Sequence, residues 1–177
     1  YLKDVKTGYA MTEAESADLY GTFIALVFLT PFIGGLLADR YLGYRRSVIM
    51  GGLMMGVGYC LMSVHNLPML YLSMTLVILG NGFFKPNIST LLGNVYTTPQ
   101  YILQKDDGYN IFYMGINIGA FICNFFGAAL YIVYGWGAAF IAAGVVMFLG
   151  VFIFLAGTKH YKAYDVKKGV TENDMSM

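Results

Sequence analysis

The run ILGNGFFKPNIST, Ile78 to Thr90, places Lys85 in the middle of an apolar segment of helix length. Insertion into a bilayer costs roughly 2.5 to 3.5 kcal/mol for a lysine at its centre. A membrane helix keeps such a residue where some interaction offsets that cost. On a helix Asn81, Lys85 and Ser89 recur every four residues, so they form one polar stripe that is expected to face protein or a wet cavity rather than lipid. Pro86 lacks an N–H and releases the carbonyl of Gly82 one turn earlier. The set Gly80, Gly82 and Pro86 therefore predicts a weakened or kinked helix beside the lysine.

The composition places this stretch in a membrane. Hydrophobic residues make up 58% of the chain and charged residues 12%, against about 25% charged in ordinary soluble domains. The net charge of +1 comes from basic residues dispersed over loops, which form no basic face and exclude a nucleic-acid partner. Cys60 and Cys123 each sit in an apolar run and read as small hydrophobes rather than a disulfide. No leader segment is visible ahead of Tyr1, and the chain reads as a fragment or a trimmed chain.

Five spans follow from the charge-free runs, each near the roughly 20 residues needed to cross a bilayer. They cover 19–38, 47–64, 69–95, 108–133 and 138–156, behind a polar extracytoplasmic segment at 1–18 and ahead of a basic tail at 157–177. Thr12 and Glu15 have the spacing of a capping box for the first helix. The short DRYLGYRR loop, Asp39 to Arg46, carries three arginines, and the tail carries Lys159, Lys162, Lys167 and Lys168. Both belong in the cytoplasm by the positive-inside rule, which puts the first segment outside. The fold class is an all-α membrane protein.

The fourth span repeats the polar pattern. Asn110, Asn117 and Asn124 recur every seven residues with Tyr113 between the first two, all on one narrow side. Such a stripe acts either as interhelical glue or as the wall of a wet cavity, and amide plus phenol groups suit a ligand bearing both amides and a carboxylate. Asp39, Arg40, Arg45 and Arg46 either set topology alone or act as a gate, with Asp39 pairing an arginine or capping a helix. No nucleophile has a visible base, and no metal-ligand spacing or phosphate loop occurs, so no enzyme, cofactor or metal site is expected.

Two motifs carry a resemblance. GGLLADRYLGYRR, Gly34 to Arg46, resembles the loop signature between the second and third helices of the major facilitator superfamily. GNGFFKPNIST, Gly80 to Thr90, with YNIFYMGINIGAF, Tyr109 to Phe121, resembles the proton-coupled oligopeptide transporter family within it. The likeness spans roughly Leu19 to Tyr161. It implies a twelve-helix protein of two six-helix bundles, of which this chain would be helices two to six of the N-terminal bundle. It implies proton-coupled symport of di- or tripeptides by alternating access, with protons as the coupling ion and no cofactor. Carried onto this sequence, Lys85 resembles the lysine that neighbours the peptide carboxylate and takes part in proton coupling. Asn87, Tyr113 and Asn117 resemble substrate-binding positions, with Asn81, Ser89, Asn110 and Phe28 lining the cavity. Asp39, Arg40, Arg45 and Arg46 resemble gate residues. Phe28 stands where the family often has tyrosine, and Ser47 where a small apolar or β-branched residue is usual. The partners implied are a peptide, the bilayer of the cytoplasmic membrane, and the first helix and C-terminal bundle of the same transporter. Two other readings stand beside this one: a stand-alone five-helix membrane scaffold, and a carrier of nitrate or another anion within the same family.

Overall fold

The structure is a computed structural model that describes residues 1–6, 8–162 and 165. Five long helices carry it: α1 (Glu13–Leu37), α2 (Tyr44–Met62), α3 (Leu67–Val95), α4 (Lys105–Tyr134) and α5 (Trp136–Ala156), followed by one turn, α6 (Thr158–Tyr161). No strand occurs among the described residues. Four segments are long and apolar enough to cross a membrane: α1 with the turn that follows it, α3, the residues 102–134 that contain α4, and α5.

The second helix, α2, is not among those four. Its sequence explains why. It opens on Tyr44, Arg45 and Arg46, and four glycines lower its apolar content. Those glycines serve packing instead. A Cβ on Gly51 would stand 2.5 Å from the Gly80 carbonyl of α3, and one on Gly56 would meet the Phe148 ring of α5 at 2.7 Å. The α2 backbone therefore lies close between α3 and α5, as small residues permit in lipid. Ser47, fully buried in α2, donates to the Gly43 carbonyl at 2.9 Å, which satisfies its hydroxyl within the helix.

The ends of the helices follow local chemistry. The Glu15 amide donates to Thr12 Oγ1 at 3.3 Å while the Thr12 amide donates to Glu15 Oε2 at 3.0 Å. This is the expected capping box, and it starts α1 at Glu13, six residues ahead of the expected span. The DRYLGYRR stretch is hardly a loop. A π-helical turn covers Ala38–Leu42, and Gly43 alone separates it from α2. Gly43 and Gly135, at φ 81° and 83°, make these two single-residue breaks in a conformation that glycine adopts without strain.

Pro86 does not break the helix: α3 runs as continuous α-helix from Leu67 to Val95 with the proline inside it. Its glycines face neighbours instead of opening the helix. Gly80 meets Gly51 of α2, and Gly82 meets Thr30 and Gly34 of α1. A Cβ on Gly34 would overlap the Gly82 carbonyl oxygen, which is the carbonyl that Pro86 leaves without an amide partner. Only a residue without a Cβ at position 34 leaves room for that oxygen where the two helices cross.

Candidate functional site

The lysine of the opening stretch lies on an exposed face of α3. Its Nζ sits 5.7 Å from the centre of the Phe28 ring of α1, within cation–π range. The structure thus brings together two residues that are 57 positions apart (85 − 28). Among the described residues no carboxylate forms an ion pair with Lys85, and the salt bridge present joins Lys3 to Glu13 at the far end of α1.

The fourth helix meets α3 near one end. The Tyr109 hydroxyl donates to the Ser89 carbonyl at 3.2 Å. A Cβ on Gly93 would stand 2.7 Å from the same hydroxyl, and Gly108 lies against the Tyr96 ring. These contacts join α4 to α3 at that end only. Along α4, Tyr113 and Asn117 follow Tyr109 by about one and two turns, roughly 6 Å and 12 Å along its axis. The Tyr109 and Tyr113 rings stack, with centroids 6.3 Å apart. Asn110, Asn117 and Asn124 are exposed, and Tyr113 is 55% exposed. The α4 face is therefore open, its main packing being against α5.

The expected substrate-binding residue Asn87 and the expected cavity residues Asn81 and Ser89 all bond main chain. Asn87 is fully buried; its Nδ2 donates to the Phe83 carbonyl at 2.7 Å and to the Gly34 carbonyl at 3.4 Å. It has no surface left for a substrate, because α1 crosses α3 against it. Asn81 is half-buried and donates to the Val27 carbonyl of α1 at 3.0 Å. The Ser89 hydroxyl turns back to the Lys85 carbonyl at 3.4 Å. The stripe Asn81, Lys85, Ser89 therefore divides: Lys85 is exposed beside Phe28, Asn81 bonds the main chain of α1, and Ser89 bonds the main chain of its own helix.

At the same end of α3, where Leu91 packs with Ala38 and Tyr44, the expected gate residues do not pair with one another among the described residues. Asp39 faces the Tyr44 hydroxyl rather than an arginine. It lies in the π-helical turn, four residues too early to cap α2, whose cap position is Gly43. Arg40 lies over the Tyr41 ring at 5.9 Å, and Arg46 is exposed. The Arg45 amide donates to Asp165 Oδ1 at 3.1 Å, while its Nε is buried without a partner. Asp165 thus supplies the acceptor that Gly43 has no side chain to provide. The tail residues Lys167 and Lys168 lie outside the described residues.

Sequence reading passed over Tyr109, although it stands four residues before Tyr113 in the same motif, a spacing that marks one helix face. It also passed over Asp4, whose Oδ2 accepts from Trp136 Nε1 at 2.8 Å and from the Tyr131 hydroxyl at 3.2 Å. No sequence signal pointed there, since the partners are more than 120 positions away. Among the described residues no three His, Cys, Asp or Glu side chains come together in a way that would hold a metal.

Comparison with known proteins gives this geometry a setting. The model of the POT family matches residues 45–177. The dipeptide and tripeptide permease A of Salmonella typhi is 35% identical over 159 residues, which cover 89% of this chain and 31% of the permease. The permease of the same description from Citrobacter koseri is 36% identical over the same coverage. The crystal structure of a peptide transporter POT in complex with sulfate superposes with a TM-score of 0.88 at 33% identity, over 99% of this chain and 36% of that one. A POT family transporter in complex with 5-aminolevulinic acid gives 0.83 at 25% identity, over 94% and 34%. The chain spans about a third of the length of the relatives it matches.

Proposed function

This chain belongs to the POT family, a family of membrane transporters rather than enzymes, and on that premise we propose that it forms part of a proton-coupled importer of di- and tripeptides. The carrying observation is Lys85: a cation in an apolar helix, exposed beside Phe28, with Tyr113 exposed on α4 one turn from the Tyr109–Ser89 contact. A peptide presents a carboxylate to such a cation, and amides to Tyr113 and Asn117. Asn110 extends the same face toward the Tyr109 end. The coupling protons would be taken up by a carboxylate facing Lys85 from a part of the transporter beyond this chain, so that its protonation changes the charge the site offers. Alternating access would then come from rocking of this bundle against a second one around the fixed site, in the cytoplasmic membrane, with residues 1–12 outside and the α6 end in the cytoplasm. Asp39, Arg40, Arg45 and Arg46 would act at that cytoplasmic end, where Arg46 is exposed and Arg40 lies over the Tyr41 ring.

The permease relatives weigh against a stand-alone scaffold, for which polar stripes would be buried as glue instead of lying open on α4. In the complete transporter, Lys85→Ala is expected to abolish dipeptide uptake driven by a pH gradient while leaving expression and thermal unfolding near wild type. Retained uptake would sink this reading. Loss of gradient-driven nitrate uptake with no dipeptide uptake in wild type would move the assignment to an anion.

A further inference from the structure

Pro31 interrupts the hydrogen-bond ladder of α1. With no N–H at position 31, the carbonyl of Val27 loses its ordinary partner four residues on. A carbonyl left unpaired inside a helix bundle is destabilising, and membranes offer no water to satisfy it. In the structure that carbonyl accepts from Asn81 Nδ2 of α3, at 3.0 Å. A second bond crosses the same seam in the opposite direction. Thr30 Oγ1 donates to the Ile78 carbonyl of α3 at 3.0 Å, and is also 2.9 Å from the Leu26 carbonyl of its own helix. Two side-chain to main-chain bonds therefore fix how far α1 has slid and turned on α3, at one level of the bundle.

That level is the level of the lysine. Phe28 directly follows Val27, Lys85 follows Asn81 by one turn, and the Phe28 ring lies 5.7 Å from Lys85 Nζ. We propose that Asn81 is a positioning residue: by occupying the carbonyl that Pro31 releases, it sets the register of α1 on α3 and holds the Phe28 ring against the Lys85 ammonium. General interhelical glue accounts for a bond between the helices but not for its acceptor being the one carbonyl of α1 that a proline has freed. Asn81 acts through Phe28 and Lys85 without touching the substrate itself. The inference rests on the reading of Lys85 as the cation of the peptide site.

The test is a cycle of Asn81→Leu, Pro31→Ala and the double variant in the complete transporter, read by thermal unfolding in detergent and by proton-driven dipeptide uptake. Asn81→Leu is expected to lower the unfolding midpoint and to raise the KM for dipeptide on the order of tenfold, the effect of an interaction of about 1.4 kcal/mol, with a smaller change in maximal rate. Pro31→Ala returns an amide to the Val27 carbonyl, so in that background Asn81→Leu should lose most of its effect on the midpoint. An equal fall in both backgrounds would overturn the lock. A lowered midpoint with an unchanged KM would overturn the positioning role and leave only glue. The midpoint cycle requires no transport, so its failure is distinguishable from failure of the peptide reading, which the Lys85→Ala uptake assay addresses.

Discussion

Three asparagines of the α3 and α4 motifs look alike in sequence and differ in what they touch. Asn117 is open on α4, Asn87 is closed against Gly34, and Asn81 serves Val27. Spacing alone puts a polar residue on a face; it does not say whether that face meets water or a carbonyl lacking its amide. The same holds for Tyr1. Its hydroxyl donates to the Met62 carbonyl at 3.1 Å, and its ring packs 4.9 Å from Phe140 and 5.7 Å from Trp136. Burial, and then the neighbouring Tyr9, push this phenol above its ordinary value. A raised folded value means that the folded state holds the proton more tightly, so the contribution is intact below the unfolded value of about 10 and is lost as pH rises beyond it. Emission from the single tryptophan, Trp136, should hold steady from neutral pH to about 9 and shift above about 10. The Tyr1→Phe variant should lack the component that Tyr1 contributes; an identical transition in that variant would exclude Tyr1 as its source.

At the scale of helices, glycines divide by what stands opposite them. Those of α2 and of the first half of the α3 motif lie where backbones cross, whereas a Cβ on Gly115 or Gly119 of α4 would meet nothing within 4 Å. Gly51→Ala must push the Gly80 backbone away and is expected to destabilise the chain by about 1 to 3 kcal/mol, as overpacked substitutions do. Gly115→Ala meets no obstacle within the chain and is expected to be neutral or to stabilise by up to about 1 kcal/mol through helix propensity. Chemical unfolding of the two variants in detergent checks the pair, and equal losses would contradict the crossing. The apolar runs located each helix, but boundaries moved into the polar flanks: α1 begins at Glu13 behind the Thr12–Glu15 capping box, and α4 begins at Lys105 with Asp106 and Asp107 in its first turn. The Gly/Pro cluster of α3 was read as a weak point because its effect on one helix is to remove bonds. In the bundle the same residues let α1 and α2 approach, and close packing keeps α3 continuous.

For the molecule as a whole, α1, α2, α3 and α5 form the packed part, and α4 joins it chiefly through α5 and its two ends. One end is held by Tyr109 on Ser89, the other by Asp4, which receives Tyr131 of α4 and Trp136 of α5. Asp4→Ala should therefore speed amide hydrogen exchange in the last turns of α4 while leaving the centre of α3 protected, since local opening follows the loss of the few contacts that oppose it. Unchanged exchange near Tyr131 would show that the α5 packing alone holds that end. Sequence by itself determined that the chain lives in a membrane, where its helices run, and that a lysine flanked by family motifs stands in one of them. These follow from composition, periodicity and motif, which are local. Only the tertiary structure decided that Phe28 covers Lys85, that Asn81 and Asn87 bond main chain, and that Asp165 reaches the start of α2. Each of those depends on which carbonyl or amide lies within about 3 Å when two helices cross, and a crossing between residues 54 positions apart, as for Asn81 and Val27, leaves no trace in the periodicity of either helix.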